Sequence, residues 1–389
     1  MKFTLFIFLL LHVYASLRAS IVNPEAYMNF IEYCQFLRYP VTPYWVTTPD
    51  GYILNLFRIG KKHSKTFNKG TPIFMQHGLV DSSDDWIIND EDLAPGFILV
   101  NLGYDIWFGN TRGNHHSRNH TTLNPNTDPL FWNYTWNEMA EYDIPTEINF
   151  VLNFTGYQKL VYIGHSQGTT IIMAHLIEHP EFASKLAVSI LLAPIATVMH
   201  QTSKVLADAN HPEFFDLMAM FGIDEVFKKD SLIMPWVCEY LNLVCKDVVD
   251  MIADSDGNVD NNERLDVIMG HYPSSDSLKN IKMWSQMALY KEPRMQKFDY
   301  EDPIKNYEIY GSAKPPVYNL TSLTSNFGLF GGEYDRLGDQ VDVQWLKSQI
   351  VNANIMWYKD DYPLGHGTFM WFKNSTWFND VISLIKKVV

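Results

Sequence analysis

Residues 160–168 read Leu-Val-Tyr-Ile-Gly-His-Ser-Gln-Gly, an apolar run that passes straight into Gly-x-Ser-x-Gly. A helical stretch follows, and strand, glycine-flanked serine and helix in that order make a nucleophile elbow. Such a turn lifts the Ser166 side chain above a sheet. Gly164 and Gly168 stand where the backbone passes too close to its neighbours for a Cβ. The helix starting behind Ser166 aims N–H groups at negative charge developing beside it. The alternative, an ordinary turn serine, leaves three further features as coincidence. Gln76-His77-Gly78-Leu79 follows an apolar strand, and a His-Gly turn there sets a backbone N–H beside the elbow. With the N–H of the residue after the nucleophile it makes an oxyanion hole, with Leu79 and Gln167 as backbone donors. His77 reads as structural and the Gln167 side chain as incidental. The acid and base follow the serine in the order Ser, Asp, His. Asp335 lies just past the apolar stretch 326–330, and His366 sits between Gly365 and Gly367, as a mobile base would. His366 would take the Ser166 proton and pass it to a leaving alcohol, with Asp335 fixing its tautomer. Glu333, Asp339, Asp342 and Asp361 compete for the acid role. The chemistry is acyl transfer through an acyl-serine intermediate.

Short apolar runs alternate with helical stretches, the pattern of a mostly parallel sheet with helices on both faces. Strands are expected at 53–59, 73–76, 105–108, 160–163, 188–192, 326–330 and 355–358. Helices are expected at 138–153 and at 169–178, the second ended by Pro180. From 196 to 310 this rhythm breaks. Met199, Phe214, Phe215, Met218, Met220, Phe221, Phe227, Trp236 and Trp284 are mixed with polar residues there. The segment reads as a helical cap (lid) over a pocket, or as a subdomain whose aromatics fill its own core. The chain thus divides into a leader at 1–19, a core at 20–195, the insert at 196–310 and a second part of the core at 311–389. The run from Asp254 to Asp260 imitates a calcium loop, but Gly257 falls at its fourth position and no glutamate closes it. A solvated acidic loop is the expectation, with no metal and no cofactor.

The chain has 389 residues, 47% hydrophobic and 19% charged, which suits a large folded core and not a disordered chain. A net charge of −14 repels phosphate backbones and argues against nucleic acid as a partner. Lys2, the apolar run 3–11 and the small residues Ala15, Ser16, Ala19 and Ser20 read as a signal peptide. The run falls short of the roughly 20 apolar residues that a transmembrane anchor needs. A secreted or lysosome-like lumenal protein is therefore expected. Sequons at Asn119, Asn133, Asn153, Asn319 and Asn374 are candidate N-glycosylation sites. Cys238 and Cys245 are close enough in sequence to close a small loop in an oxidising lumen, leaving Cys34 over. The alternative is three buried free thiols.

Longer runs carry a family resemblance. They are Val46–Leu54, Gln76–Leu79 with Asp85-Trp86, Gly103–Asn114, Trp136–Pro145, Gly164–Thr170 and Leu192–Ala196. Together they resemble the acid lipase family, which includes gastric lipase and lysosomal acid lipase, over nearly the whole chain from Asn23. The resemblance implies an α/β-hydrolase core with a cap, and Ser166, Asp335 and His366 as the triad. It implies hydrolysis of triacylglycerols or sterol esters, often at acid pH; contact with substrate at a lipid–water interface is expected. Arg264–Val267 and the Cys238/Cys245 pair also resemble family features. Rival readings are a carboxylesterase, thioesterase or acyltransferase on the same core, and a non-catalytic lipid-binding or adhesion protein. Oligomeric state is left open.

Overall fold

Alternation along the central strands decides the architecture. In the strand at 72–76, Ile73 and Met75 point into one apolar core and Phe74 into another. Trp107 is separated in the same way from Ile106 and Phe108. Strands buried on both faces need a helical layer on each side. The computed structural model describes residues 23–203, 212–228, 238, 243, 245–247, 250, 253, 254, 256 and 258–389. The expected signal peptide, Trp236 and the side chain of Phe214 lie outside the described residues.

The strands are β1 (Val41–Thr47), β2 (Ile53–Ile59), β3 (Pro72–Gln76), β4 (Asp105–Phe108), β5 (Leu160–His165), β6 (Leu186–Leu192), β7 (Glu225–Val226), β8 (Asp276–Ser277), β9 (Asn326–Gly332) and β10 (Asn354–Tyr362). Eight of them form one sheet in the order β1-β2-β4-β3-β5-β6-β9-β10, and β7 pairs with β8 separately. Pairing is parallel from β4 to β10 and antiparallel in β1–β2 and β2–β4, so β2 alone runs against the rest. Ile148, Ile171 and Leu346 bring the helices Ile144–Thr155, Gln167–Glu178 and Gln340–Gln349 into the core on one face. Phe30, Phe97 and Val381 bring Phe30–Phe36, Pro95–Asn101 and Phe378–Val388 into the core on the other. This is the α/β-hydrolase fold, and all seven expected strands are present.

β1 lies outside the expected strands. Its Val-Thr-Pro-Tyr-Trp-Val-Thr run carries Pro43, which cannot donate to a ladder, and β1 is the edge strand where proline is tolerated. The helix expected at 138–153 is broken. A short turn at Trp136–Glu138 runs into a π-helical turn at Met139–Asp143, then into the regular helix Ile144–Thr155. Pro145 has no N–H to continue an α-ladder. The preceding turn widens, and the Ile144 N–H reaches back to Met139 O.

That widened turn presents Asp143 to Arg112. The buried guanidinium donates to Asp143 Oδ1 from Nε at 2.9 Å and from Nη2 at 2.7 Å, and to Asp50 from Nη1 at 2.6 Å. The Arg112 backbone N–H adds a bond to Asp143 Oδ2 at 2.9 Å. Removing one partner of a buried pair strands the other charge, which costs about 3–5 kcal/mol. Asp143→Ala should lower unfolding free energy by that amount in urea denaturation. A loss under about 1 kcal/mol would show that the pair contributes little to stability.

Candidate active site

Four loops leave the C-terminal ends of β3, β5, β9 and β10, the edge where open α/β sheets collect ligands. β3 and β5 are neighbours, as are β9 and β10, so residues far apart in sequence meet over one rim.

At the end of β5, Ser166 takes φ 52° and ψ −120°, a strained conformation for a residue with a Cβ. Its N–H is held by Leu192 O at 3.0 Å, and its carbonyl accepts from Thr169 N at 2.8 Å and Thr169 Oγ1 at 2.7 Å. The glycines serve as expected. A Cβ on Gly164 would lie 2.8 Å from Gly168 backbone, and one on Gly168 would lie 2.6 Å from Gln76 O. Gly78, in the turn after β3, backs directly onto the serine, since a Cβ there would come 3.1 Å from Ser166 Cβ.

The three candidate residues converge. His366 Nε2 lies 2.8 Å from Ser166 Oγ, and His366 Nδ1 lies 2.9 Å from Asp335 Oδ2. The N–H groups of Leu337 and Gly338 donate to Asp335 Oδ1 at 2.8 and 2.7 Å, fixing the carboxylate. The competing acids are engaged elsewhere or face solvent. Glu333 and Asp361 are exposed, Asp339 caps Gln340–Gln349, and Asp342 binds His200.

His77 is structural, as the sequence suggested. Its Nδ1–H donates to Gly78 O at 2.8 Å, and Nε2 accepts from Thr111 N at 3.2 Å. Burial depresses its pKa to about 4, so the ring stays neutral and keeps the Gly78 turn in place. His165, beside the nucleophile, was not singled out from sequence. Its Nε2–H donates to the His366 carbonyl at 2.9 Å, and burial holds its pKa down at about 3. Nothing in a histidine inside an elbow motif marks it as a brace for a base 200 residues away.

Two expectations need correction. The Gln167 side chain is not incidental. Its Oε1 accepts from Asn280 Nδ2 at 3.0 Å and from Trp284 Nε1 at 2.8 Å, tying the elbow to the inserted helix Leu278–Ala288. The acidic run 254–260 is not a solvated loop at its ends: Asp254 is fully buried and Asp260 is 5% exposed. The glycines around His366, read from sequence as a source of mobility, are also positions of close packing. A Cβ on Gly365 would lie 2.0 Å from Asp254 Oδ1, and one on Gly367 would meet the Trp371 ring at 2.6 Å. Their missing side chains make room for neighbours.

Cys238 and Cys245 form a disulfide and Cys34 is a buried free thiol. All five sequon asparagines are exposed. One cluster not foreseen from sequence gathers His115, His116 and His271 around the buried Asp84, with His116 Nε2 at 2.6 Å and His271 Nδ1 at 2.8 Å from its oxygens.

An eight-stranded, mostly parallel sheet carrying a serine elbow and an Asp–His pair at one rim defines an α/β-hydrolase. Comparisons narrow the class. Residues 30–90 match the family described as a partial alpha/beta-hydrolase lipase region, and residues 71–220 match the alpha/beta hydrolase fold. The chain is 35% identical over 373 residues to gastric triacylglycerol lipase of Bos taurus, covering 93% of this chain and 92% of that protein. It is 34% identical over 380 residues to lysosomal acid lipase/cholesteryl ester hydrolase of Homo sapiens, covering 95% and 94%. The chain belongs to the acid lipase family. Among solved structures, a carboxylesterase of Nitrososphaera gargenis has a TM-score of 0.51 at 11% identity, covering 89% of this chain and 98% of that one. The epoxide hydrolase CorEH has a TM-score of 0.50 at 15% identity, covering 90% and 100%. These two share the fold.

The packing around the elbow leaves no room for a methyl group. Gly168→Ala, which drives a Cβ against the β3 carbonyls, should destabilise the protein by about 1–3 kcal/mol. Thermal denaturation checks this, and an unchanged melting temperature would contradict the close approach.

Proposed function

We propose that the protein hydrolyses lipid esters, triacylglycerols or sterol esters or both, through an acyl enzyme on Ser166. The observation that carries this reading is the unbroken chain from Ser166 Oγ through His366 to Asp335. His366 Nε2 takes the hydroxyl proton as Oγ attacks the ester carbonyl. The oxyanion that forms is met by the backbone N–H groups of Leu79 and Gln167. As the tetrahedral species collapses, the C–O bond to the alcohol breaks and Nε2 returns the proton to the departing oxygen. Water, deprotonated by the same nitrogen, then attacks the acyl group and frees Ser166. Asp335 accepts from Nδ1–H throughout and stabilises the imidazolium.

The substrate class rests on the family relatives, whose names specify triacylglycerols and cholesteryl esters. The insert supports it. Leu217, Met220, Phe221 and Phe227 are exposed, and Met220 keeps 84% of its surface open. Exposed apolar side chains at one helix end and turn suit transient contact with a lipid surface. In this reading the segment 196–310 is the cap over the acyl site. The names of the gastric and lysosomal relatives and the exposed Asn119, Asn133, Asn153, Asn319 and Asn374 support a glycosylated protein of the secretory lumen. Among the described residues no helix is long and apolar enough to cross a membrane.

Ser166→Ala should cut turnover of emulsified triolein or cholesteryl oleate on the order of 10⁶-fold and abolish fluorophosphonate labelling, with the fold retained. Full activity in that variant would refute the reading. Asp335→Asn should lower kcat by about 10³–10⁴-fold by stabilising the wrong tautomer of His366. Rates on emulsified against dissolved esters distinguish a lipase from an esterase.

A further inference from the structure

The turn that carries His366 is gripped from two sides by pairs of buried carboxyl groups outside the triad. On one side stand Asp254 and Asp260, brought by the insert, where burial and the charge of Asp260 raise the proton affinity of Asp254. Asp254 Oδ1 accepts from Gly367 N at 3.2 Å and fills the space that a side chain on Gly365 would occupy. Asp260 Oδ1 accepts from Thr368 Oγ1 at 2.6 Å, and that hydroxyl accepts from Gly365 N at 2.9 Å. Ala253 and Asp254 also hold the acid loop, since Arg336 donates its N–H to Ala253 O at 3.0 Å and its Nε–H to Asp254 O at 2.9 Å.

On the other side stand Asp81 and Asp85, both buried, with oxygens within 4.8 Å of each other. Asp81 Oδ2 accepts from Gly78 N at 3.2 Å, in the turn after β3. Asp85 Oδ1 accepts from Trp371 Nε1 at 2.5 Å, and the Trp371 ring packs against Gly367. His165 completes this side. Its Nε2 faces a carbonyl and must carry the ring proton, so Nδ1 is a lone pair. A ring nitrogen of His165 lies within 4.8 Å of an oxygen of both Asp81 and Asp85.

Two carboxyl groups side by side and away from water cannot both be charged, so one of them keeps its proton. We propose that Asp81–Asp85 and Asp254–Asp260 are positioning residues that clamp the His366 turn, and that the clamp holds only while each pair keeps one proton. The proposal rests on the triad reading and adds to it the groups that aim the base. The groups facing the first pair are Asp84, His165, His366 and Tyr272. Those facing the second are Asp335, Asp250, Lys246 and Tyr272. Burial raises all four carboxyls above their ordinary range of about 4. A raised value means that the clamp's contribution is complete in acid and is lost as pH rises through the raised values, which begin at about 6 for Asp260 and about 7 for Asp85. The device therefore suits a catalyst working in an acidic lumen.

Replacing one partner by its amide supplies a hydrogen that pH cannot remove. In both Asp85→Asn and Asp254→Asn the amide oxygen can keep its bond to Trp371 or Gly367 while the amide N–H donates across the pair. The rate of fluorophosphonate labelling of Ser166, and kcat and KM for a short soluble ester, would be followed from pH 4 to 9. Both amide variants should match the native rate within about twofold in acid and keep it at alkaline pH where the native enzyme falls. Asp254→Ala should lower kcat about tenfold or more at pH 5 with KM little changed, since small misplacements of a base cost that much. Amide variants whose alkaline limb superimposes on the native one overturn the clamp while leaving the triad standing. If the alanine variant does not fold, the amide variants decide alone. A native protein that never reacts with the probe overturns both readings.

Discussion

Ser166 faces His366 because three stretches of backbone pass within contact distance of one another at the end of β5. Gly164, Gly168 and Gly78 are the points of closest approach; Gly164 and Gly168 have no space for a methyl group and Gly78 little. The strained backbone of Ser166 persists because Leu192 O and Thr169 over-determine it from both sides. The helix beginning at Gln167, the turn after β3 and the reach of His366 all take their positions from this crowding. It also explains why the nucleophile lies between two strands buried on both faces, where neighbouring backbone cannot drift.

The other half of the site is held differently. β9 and β10 end in the loops 333–339 and 363–367, and a loop alone does not fix an imidazole within a few tenths of an ångström. Here the fixing comes from polar groups that the core lends to one another: His165 to the His366 carbonyl, Leu337 and Gly338 to Asp335, and Trp371 to Asp85. The insert takes part through Asp254 and Asp260, so the segment that interrupts the sheet pattern also helps to build the site.

Much of this was legible in the residues. Apolar runs of four to seven residues marked seven strands of the central sheet, and the elbow, the Gln76–Leu79 turn and the late Asp335 and His366 were recognisable because their chemistry demands a fixed local context. What was not legible depends on partners distant in sequence. Gln167 looks like any residue after a serine until Asn280 and Trp284 are brought over it. Asp254 and Asp260 looked like solvated acids because composition cannot say that one will fill the space left by Gly365. β1 was hidden by Pro43, whose tolerance depends on lying at an edge, and the π-turn before Pro145 reads as ordinary helix by periodicity.

Through the bridge from Gln167 to the helix Leu278–Ala288, the residue next to the nucleophile is moored to a segment that interrupts the sheet pattern. A substitution at Asn280 or Trp284 would therefore be felt one residue from the attacking oxygen.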